Sequence, residues 1–305
     1  MTVTALAGGV GGSKLLVGLQ DALPAGDLTA IVNTADDATI YGVHVSPDVD
    51  IVTYWLSDRA DTARGWGIEG DSFNLVAGLG RLGVDTWFQL GDADFATCVF
   101  RTDRLGEGAT LSAVTDEIRR SLDVPTRILP MTDDPVRTRI VTDDGRTLEF
   151  QEYFVKERQE PEVREVRFAG IADAKPAPGV VDAITEADTV ILCPSNPVVS
   201  LAPILALIGV RDALRDHPRV LAVTPIVRGR ALKGPADRLL PTVGAEVSAS
   251  GVANLYADLC DIFVVDASDA EEADLIEAPI RAVVEDTLMT DRSASLRVAR
   301  ALLEL

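Results

Sequence analysis

The opening of the chain constrains its fold more than any other stretch. Residues 2–7 (TVTALA) are a short apolar run, GGVGGSK follows, LLVGLQDAL has helical length, and LTAIVNT (28–34) returns as a β-branched run. Strand, glycine turn, helix and strand within about 30 residues make a βαβ unit. Strands joined by a helix lie parallel, so the chain predicts a parallel sheet with helices on its faces. The alternation resumes downstream. GVVDAITEA reads as helix, DTVILCPSNP as strand and loop, LAPILALIGVRDALRD as helix, RVLAVTPIV as strand, ANLYADLCD as helix, IFVVD as strand and SASLRVARALLEL as a closing helix.

The middle of the chain is different. DDATIYGVHVSPDVD and RGWGIEGDS read as loops, FNLVAGLGRLG and LSAVTDEIRRSL as helices, and the strand-like runs around Asp144-Gly145 as a hairpin. The expected fold is therefore α/β: a Rossmann-like core with a mostly parallel sheet, built from residues 1–35 and 166–305. Residues 36–165 are expected as a largely helical insertion or cap.

Charge narrows the function classes. Forty-eight acidic residues against 28 basic ones give a net charge of −20, a field that repels nucleic acid. Only Lys14, Lys156, Lys175 and Lys233 are lysines, a composition expected of a protein adapted to high salt. Three cysteines without C-x-x-C spacing and two histidines offer neither a zinc site nor a disulfide framework. No apolar run reaches the 18 residues of a membrane span, and the N-terminus lacks a basic leader, so a cytoplasmic location is expected.

In open α/β sheets ligands bind beyond the carboxyl ends of the strands, and four polar loops fall there. Gly8, Gly9, Gly11, Gly12 and Lys14 form a turn that matches neither the Walker A nor the dinucleotide spacing. It suits either an anion at a helix N-terminus or a tight strand-to-helix turn. Asn33 is placed to read a ligand hydroxyl, while Asp36 and Asp37 are either oxygen ligands for Mg²⁺ or helix caps. Ser195 and Asn196, held between Pro194 and Pro197, suit a phosphate or a base edge. Arg228, Arg230 and Lys233 form a basic loop on an acidic chain and suggest a further anion contact. Two more pairs, Asp48 with Asp50 and Asp92 with Asp94, lie at expected turns, Arg101 close behind the second.

Taken together, GGVGGSKLLVGL, IVNTADD, SPDVDIVTYWLSD, WGIEGDSF, QLGDADFATCVFRT, ILPMTDDPVRT, PSNPVVS and KGPAD resemble, in order, the 2-phospho-L-lactate transferase family. The likeness runs from residue 5 to about residue 290. It implies a Rossmann-like homodimer that uses Mg²⁺ to transfer a phospholactyl group from lactyl-diphospho-guanosine to the deazaflavin Fo. GMP is released, in coenzyme F-420 biosynthesis. By this resemblance Asp50 and Gln89 contact Fo. Asp50 is also the candidate general base, and Asp37 and Asp50 are the candidate metal ligands. Gly8, Gly9, Gly11, Gly12, Lys14, Asn33, Ser195 and Asn196 are assigned to the nucleotide and its phosphates. Gln89, Ala93 and Cys98 depart from the family pattern, which has basic residues at the first two positions and His at the third; Arg101 is the expected replacement for the missing charge. The alternative reading is a non-catalytic nucleotide or nucleotide-sugar binding regulator on a related fold.

Overall fold

Strands buried on both faces are written as unbroken apolar runs, and VTALA, TVIL, VLAV and IFVVD are buried along their whole length. The computed structural model describes residues 1–305. Its central sheet has strands β1 (Val3–Ala7), β2 (Leu28–Val32), β3 (Arg127–Pro130), β4 (Thr189–Leu192), β5 (Val220–Val223), β6 (Ile262–Asp266) and β7 (Arg281–Glu285). All seven are parallel, in the spatial order 3-2-1-4-5-6-7. Successive residues serve opposite faces: Leu6, Ile31 and Leu192 enter one core, while Ala5, Ala30 and Ile191 enter the other.

This is the doubly wound order, and it reverses between β1 and β4. Loops leaving those neighbours diverge, which opens a crevice at their carboxyl ends. Helix α1 (Gly9–Ala22) starts directly from β1 at that crevice. It lies against the closing helix Arg292–Glu304 so closely that a Cβ on Gly18 would stand 2.1 Å from the Ser295 carbonyl oxygen. No helix is long and apolar enough to cross a membrane.

The cap builds its own small core from Ala38, Ile40, Val43, Val45, Val76, Leu90 and Cys98. The first four come from an antiparallel hairpin, Ala38–Ile40 with Val43–Val45. Its two-residue turn, Tyr41-Gly42, has positive φ at both positions, 52° and 84°. That is the backbone a tight hairpin needs, carried here by a dipeptide with no Asn or Asp to announce it. Helices α2 (Pro47–Leu56), α3 (Asn74–Arg81) and α4 (Asp92–Gly106) follow, then the helix Leu111–Ser121.

Several boundaries differ from expectation. Residues 36–165 are not one continuous insertion, because β3 pairs with β2 at the edge of the core sheet. The expected boundary at residue 165 also falls inside a strand, Val163–Ala169, which pairs with Arg137–Thr142 of the Asp144-Gly145 hairpin. The run LAPILALIGVRDALRD is two short helices, Ala202–Leu205 and Val210–Arg215, separated at Gly209 with φ +80°. Asp48 and Asp50, expected in a loop, sit in the first turn of α2, where Ser46-Pro47 supplies a residue before the helix and a preset first φ. Asp92 and Asp94 likewise open α4.

Candidate functional site

Two loops at the crevice are bound together by one side chain. The Gly8 N–H donates to Ser195 Oγ at 3.0 Å, and that hydroxyl donates to the Gly8 carbonyl at 2.8 Å. The contact demands glycine on the facing side. A Cβ on Gly11 would lie 2.4 Å from the Pro194 carbonyl oxygen, and one on Gly12 would lie 2.6 Å from Ser195 Oγ. Gly9, at φ +63°, starts the helix in the left-handed region. Asn196 caps the helical turn Pro197–Leu201 through Oδ1, leaving its buried Nδ2 without a partner. Lys14 is anchored by donating from Nζ to the Met289 carbonyl at 2.7 Å.

The acidic groups fall into two sets because Asp48 and Asp50 are two residues apart on a helix, about 200° around its axis. Asp48 turns to the glycine loop. Its Oδ1 accepts the Gly9 N–H at 2.9 Å, and its Oδ2 accepts Asn33 Nδ2 at 2.9 Å. Asn33 is itself oriented by accepting the Ala35 N–H on Oδ1. Asp37 is held nearby by Ser46 Oγ at 2.7 Å and His44 Nε2 at 2.8 Å. Asp36 is buried, and its Oδ1 has no hydrogen-bond partner. Burial pushes the Asp48 carboxyl up to about 6, against the pull of Asn33 and Gly9 and with added repulsion from Asp37. Burial and then the Asp48 charge hold Asp36 well above the usual carboxylate range.

The repelling neighbours Asp36 and Asp37, the first with an orphaned oxygen, fit a divalent cation. Hard cations take oxygen ligands, and each engaged carboxylate oxygen keeps a second lone pair for one. Asp36 and Asp37, the pair the sequence offered as oxygen ligands, would hold it, while both Asp48 oxygens are taken by Gly9 and Asn33.

Asp50 faces the other way, into α4. Both its oxygens accept from Arg101, with Nη1 at 3.1 Å and Nη2 closer still. Arg101 is fully buried and also donates to the His44 carbonyl at 3.2 Å. The expected base and metal ligand is thus the anion of a buried ion pair, its charge neutralised by a guanidinium that does not deprotonate. Asp94 and Cys98 lie beside it, and the ligand atoms of Asp50, Asp94 and Cys98 come within 4.8 Å of one another. With Arg101 fixed against Asp50, this second group has its cation built in. Asp94 Oδ1 accepts the Tyr54 hydroxyl at 2.8 Å. Burial, then the charge of Asp50, pushes the Asp94 carboxyl up to about 7. Asp92, by contrast, caps α3 through the Asn74 and Leu75 N–H groups, while Asp71 caps α4 in return.

A folded pKa near 7 has a definite sign in stability. Below the ordinary value near 3.8 the carboxyl is protonated in both states, and its contribution is fully present. As pH rises towards 7 the folded state still holds a proton that the unfolded chain has lost, so stability falls. Asp94→Asn copies the protonated form and keeps an acceptor for Tyr54. Its stability advantage over the parent should grow from near zero at pH 4 to roughly 2–4 kcal/mol at pH 8, followed by urea unfolding.

Gln89 is exposed, and its Nε2 donates to the Thr86 carbonyl at 3.2 Å; it joins neither acidic set. Sequence reasoning named Asp48 without telling it apart from Asp50, and it passed over Tyr54, His44 and Ser46. Ser46-Pro47 was the available signal, since a helix starting there separates Asp48 from Asp50.

With this geometry in place, comparison adds four findings. The family model described as 2-phospho-L-lactate transferase CofD matches residues 3–300. A 2-phospho-L-lactate transferase of Methanosarcina mazei is 39% identical over 97% of this chain and 98% of its own length. A phosphoenolpyruvate transferase of Streptomyces griseus is 41% identical over 100% of this chain and 98% of its own. Among solved structures, a UPF0052 family member from Bacillus halodurans superposes with a TM-score of 0.68 at 16% identity, covering 99% of this chain and 98% of that one. That likeness concerns the fold alone.

Proposed function

Because this chain belongs to the 2-phospho-L-lactate transferase CofD family, we propose that it transfers a phospholactyl group from lactyl-diphospho-guanosine to the deazaflavin Fo, with Mg²⁺, releasing GMP. The reading rests on one observation above all: Asp48 joins the N-terminus of α1 to Asn33 at the point where the strand order reverses, beside Asp36 and Asp37.

The chemistry follows from that placement. A ribityl hydroxyl oxygen of Fo bonds to the phosphorus nearer the lactyl group. The bond from that phosphorus to the bridging oxygen breaks, and the oxygen leaves with GMP. Asp48 accepts the hydroxyl proton, its carboxyl being tuned to about 6 and held by two hydrogen bonds. First-turn N–H groups of α1 and the Lys14 ammonium meet the diphosphate. Asn196 Nδ2, a buried donor without a partner, is available to the nucleotide. Ser195 fixes the two loops in register. A bound Mg²⁺ would neutralise phosphate charge as it develops on the leaving group. On the deazaflavin side, Asp50 is a positioning residue locked by Arg101, and the exposed Gln89 amide, its Nε2 on the Thr86 carbonyl, keeps Oε1 to meet the ring.

The donor's three-carbon acid is a real fork, because relatives named for phospholactate and for phosphoenolpyruvate are 39% and 41% identical to this chain. Purified protein should be incubated with Fo, Mg²⁺ and each guanylylated donor in high salt, and the products separated by mass. The lactyl product together with GMP is expected. An enolpyruvyl product alone would move the assignment to the other donor. Guanosine nucleotide bound without any product would return the chain to a regulatory role.

A further inference from the structure

The basic loop after β5 lies outside the machinery described so far. It forms a tight antiparallel turn, Ile226–Val227 with Arg230–Ala231, whose central residues Arg228 and Gly229 have φ of 53° and 67°. The Arg228 N–H is pinned by Asp269 Oδ2 at 2.5 Å. The chain then returns towards the glycine turn. A Cβ placed on Gly65 would stand 3.8 Å from Lys233 Nζ and 3.5 Å from Val10 Cγ2. The Lys233 ammonium, the backbone at Gly65 and the first turn of α1 are therefore within one contact of each other.

Lys14 belongs to the same place. Its pKa is lowered by burial and then by the charge of Lys233. Lys14 donates to a carbonyl, and the ion pair that a lysine makes, Lys156 with Asp85, lies elsewhere, although the chain carries a net charge of −20. Two neighbouring ammonium groups without a counter-anion repel, and a bound polyanion removes that cost. We propose that Lys233 is a phosphate-positioning residue, acting with Lys14 on the donor's diphosphate beside the first turn of the helix. The inference rests on the preceding reading that the glycine turn receives those phosphates.

Calorimetry with guanosine diphosphate and with inorganic pyrophosphate, each with Mg²⁺, separates the two claims. Lys233→Ala should weaken both ligands about tenfold, as expected for a lost charge-assisted contact. Lys233→Arg should keep most of the affinity. Lys175→Ala, which removes the same charge from an exposed site elsewhere, should stay within about twofold and so correct for the net field. In turnover, Lys233→Ala should raise the donor KM more than it lowers kcat. Unchanged binding in Lys233→Ala would overturn the role of Lys233 and leave the glycine-turn site standing. Failure of the parent protein to bind guanosine diphosphate would overturn the site itself.

Discussion

Asp48→Asn is expected to lower kcat by about 10²–10⁴ while the KM for the deazaflavin stays within about twofold, the pattern of a lost general base. The substitution keeps the size of the side chain at the junction of Gly9 and Asn33 but removes the proton acceptor. The pH profile gives a second signature. Only the carboxylate form takes a proton, and the Asp48 carboxyl titrates at about 6. The parent rate should fall as pH drops through 6 and level off above 7. That acid limb should be missing from the residual activity of the variant. A limb that persists in Asp48→Asn would assign it to another group, for which Asp94 is the candidate. Loss of folded signal in circular dichroism would make Asp48 a structural residue.

Arg101→Met should destabilise the protein by about 3–5 kcal/mol, because it strands a buried carboxylate. Asp50 is only 4% exposed and takes two hydrogen bonds from this one guanidinium. Asp94, already competing with it for negative charge, lies alongside. Pairing Arg101→Met with Asp50→Leu removes both charges and should recover much of the loss, since a buried ion pair is near break-even against apolar groups of similar volume. Urea unfolding at pH 8 measures both. A loss below about 1 kcal/mol in the single variant would mean that water reaches Asp50 and that the pair is not the lock described here.

Much of the fold was written in local patterns. Strands β1, β4, β5 and β6 are buried on both faces, with only Thr4, Thr189 and Asp266 set among apolar residues. They were legible because burial on two faces leaves a one-dimensional trace. β7, with the exposed and half-exposed positions of an edge strand, left a weaker one. The Tyr41-Gly42 hairpin gave no turn dipeptide, and LAPILALIGVRDALRD hid its break in a single glycine.

The site was legible by composition but not by direction. Its acidic residues could be named, yet which carboxylate meets which loop depends on helix phase. Reading SPDVD as a loop left Asp48 and Asp50 equivalent. Reading Ser46-Pro47 as a helix start sends one to the glycine turn and the other to Arg101. The coupling of Lys233 to Lys14 joins residues far apart in sequence through a loop packing on the crevice, which no local pattern carries.

A crystal structure with guanosine diphosphate and Mg²⁺ puts the central claim to its plainest trial. The account predicts phosphates against the first turn of α1, the metal on Asp36 and Asp37, and Lys233 drawn onto the anion. Nucleotide bound elsewhere with this crevice left open, or metal held by Asp50 after breaking from Arg101, would contradict it.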